Sequence, residues 1–165
     1  MQIYLIRHGL AGERGTYEDD RERPLTAKGQ SKTKAVAQQL KAFGLSFDEI
    51  LTSPLVRARQ TADILLQADL APHLSTTDAL APLGSFSSWL EWLQAWRQGD
   101  SDSLALVGHE PDLSQWAELL VWGEVRGALQ LKKAGIIGIE IPDNVDPLGN
   151  SILFWLTPPR LFVLS

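Results

Sequence analysis

Two short stretches of this chain place residues suited to chemistry directly after apolar runs. The run Ile3-Tyr4-Leu5-Ile6 is followed at once by Arg7, His8 and Gly9, and the run 103–107 (SLALV) by Gly108, His109, Glu110 and Pro111. In open α/β sheets the carboxyl ends of the strands open onto the crevice where ligands bind, so both imidazoles would emerge where chemistry is usually done. A third group comes from a helix. In SPLVRARQTADILL, Arg57 sits near the amino end, where the dipole and free N–H groups already favour an anion, so it suits a phosphate clamp. Arg59 lies two residues on, roughly 200° round the helix, so only one of the two can face the crevice. The competing reading is that Arg7 and His8 mark where a strand meets water and that a lone histidine is structural. Two histidines in equivalent places, with an arginine at a helix start between them, favour a site.

The elements that must position these groups follow from periodicity. Continuous apolar runs suit parallel strands covered on both faces, since a half-exposed strand would alternate. Residues 10–24 are polar and carry Glu13, Arg14, Asp20 and Arg23 among other charges. They are either a solvated excursion or a flap that carries Arg23 toward the crevice. Thr26 then caps a helix whose apolar face is Val36, Leu40 and Phe43 and which stops at Gly44. A short strand is expected over Phe47 to Thr52, with Ser53 as N-cap and Pro54 at the first position of the next helix. Residues 73–83 hold a weak extended segment and a turn. Trp89, Leu90, Trp92, Leu93 and Trp96 form a core stripe rather than a stacking platform, on a helix ended by Gly99 and Asp100. Asp112 or Ser114 opens a helix carrying Leu113, Trp116, Ala117 and Leu120. The segments 135–141 and 151–156 read as a hairpin at one edge of the sheet. The expected fold is α/β, a mostly parallel central sheet with helices on both faces. No repeat, low-complexity run or second core divides it, so residues 1–165 are expected to form one domain.

Composition narrows the chemistry. With 165 residues, 44% of them apolar, the chain can bury a sizeable core. Its 15 Lys+Arg against 20 Asp+Glu give a net charge of -5, which argues against nucleic acid as a partner. Any anion recognised must be held by a local cluster. There is no cysteine, which excludes disulfides, a thiolate nucleophile and cysteine metal sites. The three histidines and scattered carboxylates show no metal-ligand spacing, and no Gly-rich loop suits a nucleotide, so neither metal nor cofactor is expected. With no signal-peptide pattern and no run of 18 apolar residues, no membrane association is expected, and the cytoplasm is the simplest setting.

Four ordered motifs then resemble a known family. Arg7-His8-Gly9, Arg23-Pro24-Leu25-Thr26-x-x-Gly29, Ser53-Pro54-x-x-Arg57-Ala58-x-Gln60-Thr61-Ala62 and Gly108-His109-x-Pro111 span nearly the whole chain. Together they resemble the histidine phosphatase superfamily, specifically its short SixA-like phosphohistidine phosphatase branch. The resemblance implies a phosphoglycerate mutase-like fold and a metal-independent phosphatase. It implies that His8 is the nucleophile, that Arg7 and Arg57 hold the phosphoryl oxygens, that His109 completes the pocket and that Arg23 joins it. The implied substrate is phosphohistidine in a protein, such as a histidine phosphotransfer domain, dephosphorylated through a phospho-His8 intermediate. The alternatives are a phosphatase for a small phosphomonoester and, from another class, a phosphate-binding module without turnover.

The physical chemistry agrees with that assignment. A neutral imidazole attacks phosphorus only if one ring nitrogen is free and the other tied up, commonly by a backbone carbonyl. Flanking arginines should keep His8 unprotonated. One departure from the larger branches is informative. Their carboxylate proton donor after the second helix has no obvious counterpart, because that stretch offers only Asp78. Glu110, beside His109, is the other nearby acid; it is either an exposed turn residue or part of the phosphate pocket. The general acid stays unassigned.

Overall fold

The computed structural model describes residues 1–97 and 101–162. Six strands form one sheet in the order β3-β2-β4-β1-β5-β6: β1 is Gln2–Arg7, β2 Glu49–Thr52, β3 Leu74–Thr76, β4 Ser103–Gly108, β5 Ile136–Glu140 and β6 Ile152–Thr157. The first four strands run parallel, whereas β5 is antiparallel to β1 and β6 antiparallel to β5. The expected edge hairpin is therefore present, with β6 outermost.

The side chains of the central strands alternate between two apolar layers. From β1 and β4, Tyr4, Ile6, Ala105 and Val107 pack with helices α1 (Ala27–Ala42) and α2 (Val56–Gln67). Ile3, Leu5, Leu104 and Leu106 pack instead with α3 (Phe86–Trp96) and α4 (Asp112–Trp122). Both faces are covered, which explains why these strands read as unbroken apolar runs. Of the expected core stripe, Trp89 and Leu93 are buried, with Trp89 stacked on Trp116 at 5.2 Å, while Leu90, Trp92 and Trp96 are partly buried against the same layer.

This order also fixes where a ligand crevice opens. From β1 the chain travels through α1 toward β2 and β3, then reverses through α3 to insert β4 beside β1. Connections of one hand laid in opposite directions put helices on opposite faces, so the loops after β1 and β4 part company between the two strands. Arg7 pairs with Gly108 in the β1–β4 register, which brings both motif-bearing strand ends to that gap.

Local details differ from the sequence reading in three places. Thr26 caps α1 by accepting from the Gly29 N–H, and Gly44 follows at φ +77°, both as expected; Phe43, however, is 60% exposed. Strand β2 begins at Glu49, with Phe47 buried just before it. Helix α2 begins at Val56, not at Ser53-Pro54, because Leu55 is still extended and the Ser53 hydroxyl is engaged elsewhere. Helix α4 opens at Asp112, one of the two residues expected there, and the Glu110 carboxylate caps it by accepting from the Ser114 N–H. Gly99 and Asp100, expected to end α3, lie outside the described residues. Among the described residues no helix is long and apolar enough to cross a membrane.

One glycine decides how closely α1 approaches the first strand's exit. A Cβ on Gly29 would run into the Leu10 carbonyl, the group that accepts from the Thr26 N–H at 2.9 Å. Gly29→Ala should therefore lower unfolding stability by about 1–3 kcal/mol, the usual penalty for overpacking. Denaturant unfolding with an unchanged midpoint would show that the contact relaxes freely.

Candidate active site

His8 leaves the end of β1 and His109 the end of β4, and their ring centroids lie 5.1 Å apart. The His8 N–H donates to the Gly108 carbonyl at 3.1 Å, which ties the two strand exits together. His8 Nδ1 is 2.7 Å from the Gly9 carbonyl. A carbonyl only accepts, so Nδ1 carries the proton and Nε2 of the neutral ring keeps its lone pair. Burial is the main reason that His8 is pushed down to about 2, with His109, Arg57 and Arg7 adding to it and the Gly9 hydrogen bond opposing. The arginines thus act as expected but rank behind desolvation. His109 is pushed down to about 3, again first by burial and then by Arg57. Its Nε2 lies 2.8 Å from Ser53 Oγ, which also accepts from the Leu55 N–H. With the proton of the neutral His109 ring on Nδ1, Nε2 accepts the hydroxyl hydrogen of Ser53.

Helix phase separates the two arginines of α2 as argued. Arg57 is 3% exposed, and it donates to the Asp20 carbonyl at 2.7 Å and pairs with the Asp20 carboxylate at 3.1 Å. Arg59 is exposed and pairs with Asp63 and Thr76. The same helix fixes the loop after β1: Thr61 Oγ accepts from the Gly9 N–H at 3.0 Å and donates to the Arg57 carbonyl, while Gln60 accepts from the Leu25 N–H at 2.7 Å.

The stretch 10–24 is a flap folded onto the site. Arg23 is buried, donating through Nε to the Asp20 carboxylate at 2.8 Å and through a terminal nitrogen to the Gly12 carbonyl at 3.0 Å. Asp20 therefore bridges two arginines, and its hydrogen bond to Arg23 is the main reason its carboxyl lies below the ordinary range. Sequence reasoning passed over Asp20; its only signal was the three-residue spacing to Arg23.

Arg7 is held from a third direction. Its terminal nitrogen donates to the Leu131 carbonyl at 2.9 Å. The loop leading there is organised by Glu118, 1% exposed, whose carboxylate accepts from the N–H groups of Arg126, Gly127, Ala128 and Leu129 at 2.6–2.7 Å. Burial opposes the Glu118 charge, but those four donors outweigh it and hold the carboxyl below its usual value. Glu118 was also missed, although an acid set among the apolar residues Trp116, Ala117, Leu119 and Leu120 is a readable signal.

Arg7, His8, Arg23, Arg57, His109 and Glu110 all line one cavity of about 500 Å³. Asp78 does not; it opens a 3₁₀ turn, Asp78–Leu80. Glu110 is neither an exposed turn residue nor a free acid. It is half-buried, and both its oxygens are used by Ser114, the hydroxyl donating at 2.6 Å and the N–H at 3.2 Å. Burial raises its pKa, while Ser114 and Arg7 pull the other way. Among the described residues no three His, Asp or Glu side chains gather into a metal-binding group.

The Nε–H groups of Arg7 and Arg57 are buried without a hydrogen-bond partner among the described residues. A buried unpaired donor is destabilising, and guanidinium donors lining one cavity call for an acceptor with several oxygens. The site can hold a tetrahedral oxyanion against a neutral, nucleophilic imidazole nitrogen.

Comparison with known proteins agrees with that chemistry. Residues 3–82, which include Arg7, His8, Arg23 and Arg57 but not His109 or Glu110, match the family model of the histidine phosphatase superfamily (branch 1). An uncharacterized protein of Picosynechococcus sp. is 48% identical over 161 residues, covering 97% of this chain and 98% of its own. The phosphohistidine phosphatase SixA of Escherichia coli K12 is 25% identical over 160 residues, covering 96% and 94%. The structure of the protein histidine phosphatase SixA complexed with tungstate superposes with a TM-score of 0.85 at 25% identity, over 99% of this chain and 100% of that one.

The buried, neutral histidines have a consequence for stability. In the unfolded chain they titrate near 6.5, in the folded protein near 2 and 3, so between these values the unfolded state binds more protons. Stability must then fall as pH drops below about 6.5, by roughly 2 kcal/mol per histidine between pH 7 and 5. In phosphate-free buffer the wild type should lose melting temperature over that interval, and His109→Gln should lose roughly 4–8 °C less. Parallel melting curves for the two proteins across this range would contradict the buried, neutral assignment.

Proposed function

Because this chain belongs to the histidine phosphatase superfamily, we propose that it dephosphorylates phosphohistidine in a protein, without a metal, through a phospho-His8 intermediate. The observation that carries this reading is the pairing of a proton-fixed His8 with the unpartnered Nε–H groups of Arg7 and Arg57. The reading treats residues 1–165 as one catalytic domain.

In the first step His8 Nε2 forms a bond to phosphorus as the P–N bond of the substrate breaks, and the bonding pair leaves with the substrate nitrogen. When the other nitrogen of that ring is protonated, the leaving group departs as neutral histidine. Arg7, Arg57 and Arg23 neutralise charge on the transferring oxygens, where positioning and electrostatics supply most of the catalysis. His109 Nδ1–H supplies a further, uncharged donor. In the second step water attacks phospho-His8, the P–Nε2 bond breaks, and the water's proton ends on the phosphate or in solvent. The Gly9 carbonyl holds the Nδ1 proton throughout, so His8 returns as a neutral ring.

Cleavage of an alkyl ester would need more. An alkoxide-like leaving group needs a proton, and a positioned acid contributes about 10²- to 10⁴-fold. Asp20 is ionised between two arginines, and Glu110 has both oxygens committed to Ser114. A second reading, a small-molecule phosphomonoesterase, is favoured by one observation: the Glu110 carboxyl is raised and lines the cavity. The two are separated by kcat/KM for a phosphohistidine peptide, phosphoserine and phosphoglycerate in the presence of chelator. The phosphohistidine peptide should be preferred, and rapid quenching should trap a phosphate adduct that His8→Ala lacks. Faster ester cleavage that collapses in Glu110→Gln would establish the second reading, and an active His8→Ala would overturn both.

The helix geometry gives a separate expectation. Arg57→Ala should lower turnover by roughly 10²- to 10³-fold, the scale for losing one preorganised donor to developing charge. Arg59→Ala should change little, and equal losses would mean that the exposed arginine also reaches the substrate.

A further inference from the structure

Beside the catalytic cavity lies a larger one, of about 750 Å³, that shares Arg7 and Lys133 with it. Its cations come from three separate parts of the chain: Lys32 from α1, Lys132 and Lys133 from the turn before β5, and Arg160 from the 3₁₀ turn after β6. No carboxylate lines it among the described residues, although the whole chain carries a net charge of -5. Among the described residues none of these four side chains forms an ion pair; Lys132 donates only to Gln130, at 2.5 Å. The turn that carries Lys132 and Lys133 is fastened to the site, because the Ala134 N–H donates to the carbonyls of both Arg7 and His8. Its apolar wall includes Leu131, Leu156, Pro158 and Pro159. Of these, Leu156 on the outermost strand is 44% exposed.

A cavity of the catalytic site's size already suffices for a small phosphorylated molecule, so the second one is surplus to such a substrate. Unpaired cations beside exposed apolar side chains complement an acidic protein surface with apolar side chains of its own. Nucleic acid fits less well, since no aromatic side chain on which a base could stack lines the groove among the described residues, whereas an apolar wall does. We propose that this cationic groove docks an acidic, partly apolar surface of the phosphorylated protein substrate, adjoining its phosphohistidine. The proposal rests on the phosphohistidine reading above and adds the chemistry of the partner.

Two measurements test it independently. The first is binding of a phosphate-free, Asp/Glu- and Leu-containing peptide of about a dozen residues to the full chain, compared with its Asn/Gln counterpart and with a single-stranded oligonucleotide of equal length. The acidic peptide should bind best, lose affinity steeply as salt rises, and lose it in K32E/K132E/R160E and, more mildly, in K32Q/K132Q/R160Q. Equal binding of the neutral peptide, or tighter binding of the oligonucleotide, overturns the proposal. The second is hydrolysis by the same variants. For a phosphohistidine peptide flanked by Asp and Glu, kcat/KM should fall roughly 10- to 100-fold, mainly through KM, the scale of lost electrostatic steering. Free phosphohistidine should be hydrolysed as by the wild type, which also shows that the variants fold. Equal losses on both substrates overturn the docking role. No hydrolysis of any phosphohistidine by the wild type overturns the substrate reading, and the peptide binding then still decides the groove.

Discussion

Much of this structure depends on one constraint: a buried imidazole must stay neutral, with a known nitrogen free, beside three guanidinium groups. Desolvation supplies most of the neutrality, and the surrounding positive charge acts in the same direction. The same arrangement that disfavours a proton on His8 favours an oxyanion in front of it. The fold therefore does not choose between a good nucleophile and a good phosphoryl site; one set of charges around a buried imidazole produces both. What remains for local structure is to fix the tautomer, which a single carbonyl, that of Gly9, does at 2.7 Å.

Crowding cations this closely is unfavourable until something answers them. Asp20 answers two, bridging Arg23 and Arg57, and the Leu131 carbonyl answers Arg7. Each answer arrives on a separate loop, and each loop is anchored away from the crevice. Gln60 holds the first flap through the Leu25 N–H, and Glu118 holds the second through four backbone donors. Glu118 is thus tied to the site although it touches no member of it. Its buried charge is affordable because all its acceptors are used, the condition under which a buried carboxylate stabilises rather than disrupts.

The division between what was legible in the sequence and what was not follows from range. The strand ends, the Thr26 cap, the phase that buries Arg57 and exposes Arg59, and the edge hairpin are all set by spacing within a dozen residues. A periodicity argument therefore reaches them. Arg7, His8, Arg23, Arg57, His109 and Glu110 converge as a topological consequence of β4 inserting beside β1, a strand order that spacing does not reveal, so the sequence reached the set only through the resemblance of its motifs to a known family. The misses are contacts between segments. Ser53 reads as a helix cap because Ser-Pro before a helix usually is one, but its hydroxyl is 2.8 Å from a histidine 56 residues away. Glu110 reads as a turn residue because the sequence does not reveal that the helix it precedes lacks any other side-chain cap. Asp20 disappears into a run of mixed charge, where pairing cannot be told from solvation.

These contacts bear directly on which bond the site can break. Two of the carboxylates near the crevice, Asp20 and Glu110, are assigned by the fold to an electrostatic or structural task before any substrate arrives, whereas that of Glu13, which also lines the cavity, has no such partner among the described residues. Asp20 is kept ionised by the arginines it neutralises, and a carboxylate in that state cannot hand over a proton. Glu110 is raised by burial, yet moving its oxygens toward a leaving group would strip the cap from α4 and expose two unpaired donors of Ser114. A P–N bond to an imidazole is the phosphoryl linkage that tolerates this situation, because the leaving ring can bring its own proton on the nitrogen that never bonded to phosphorus. The organisation of the site around cations and neutral imidazoles thus bears on the leaving group as much as on the phosphate.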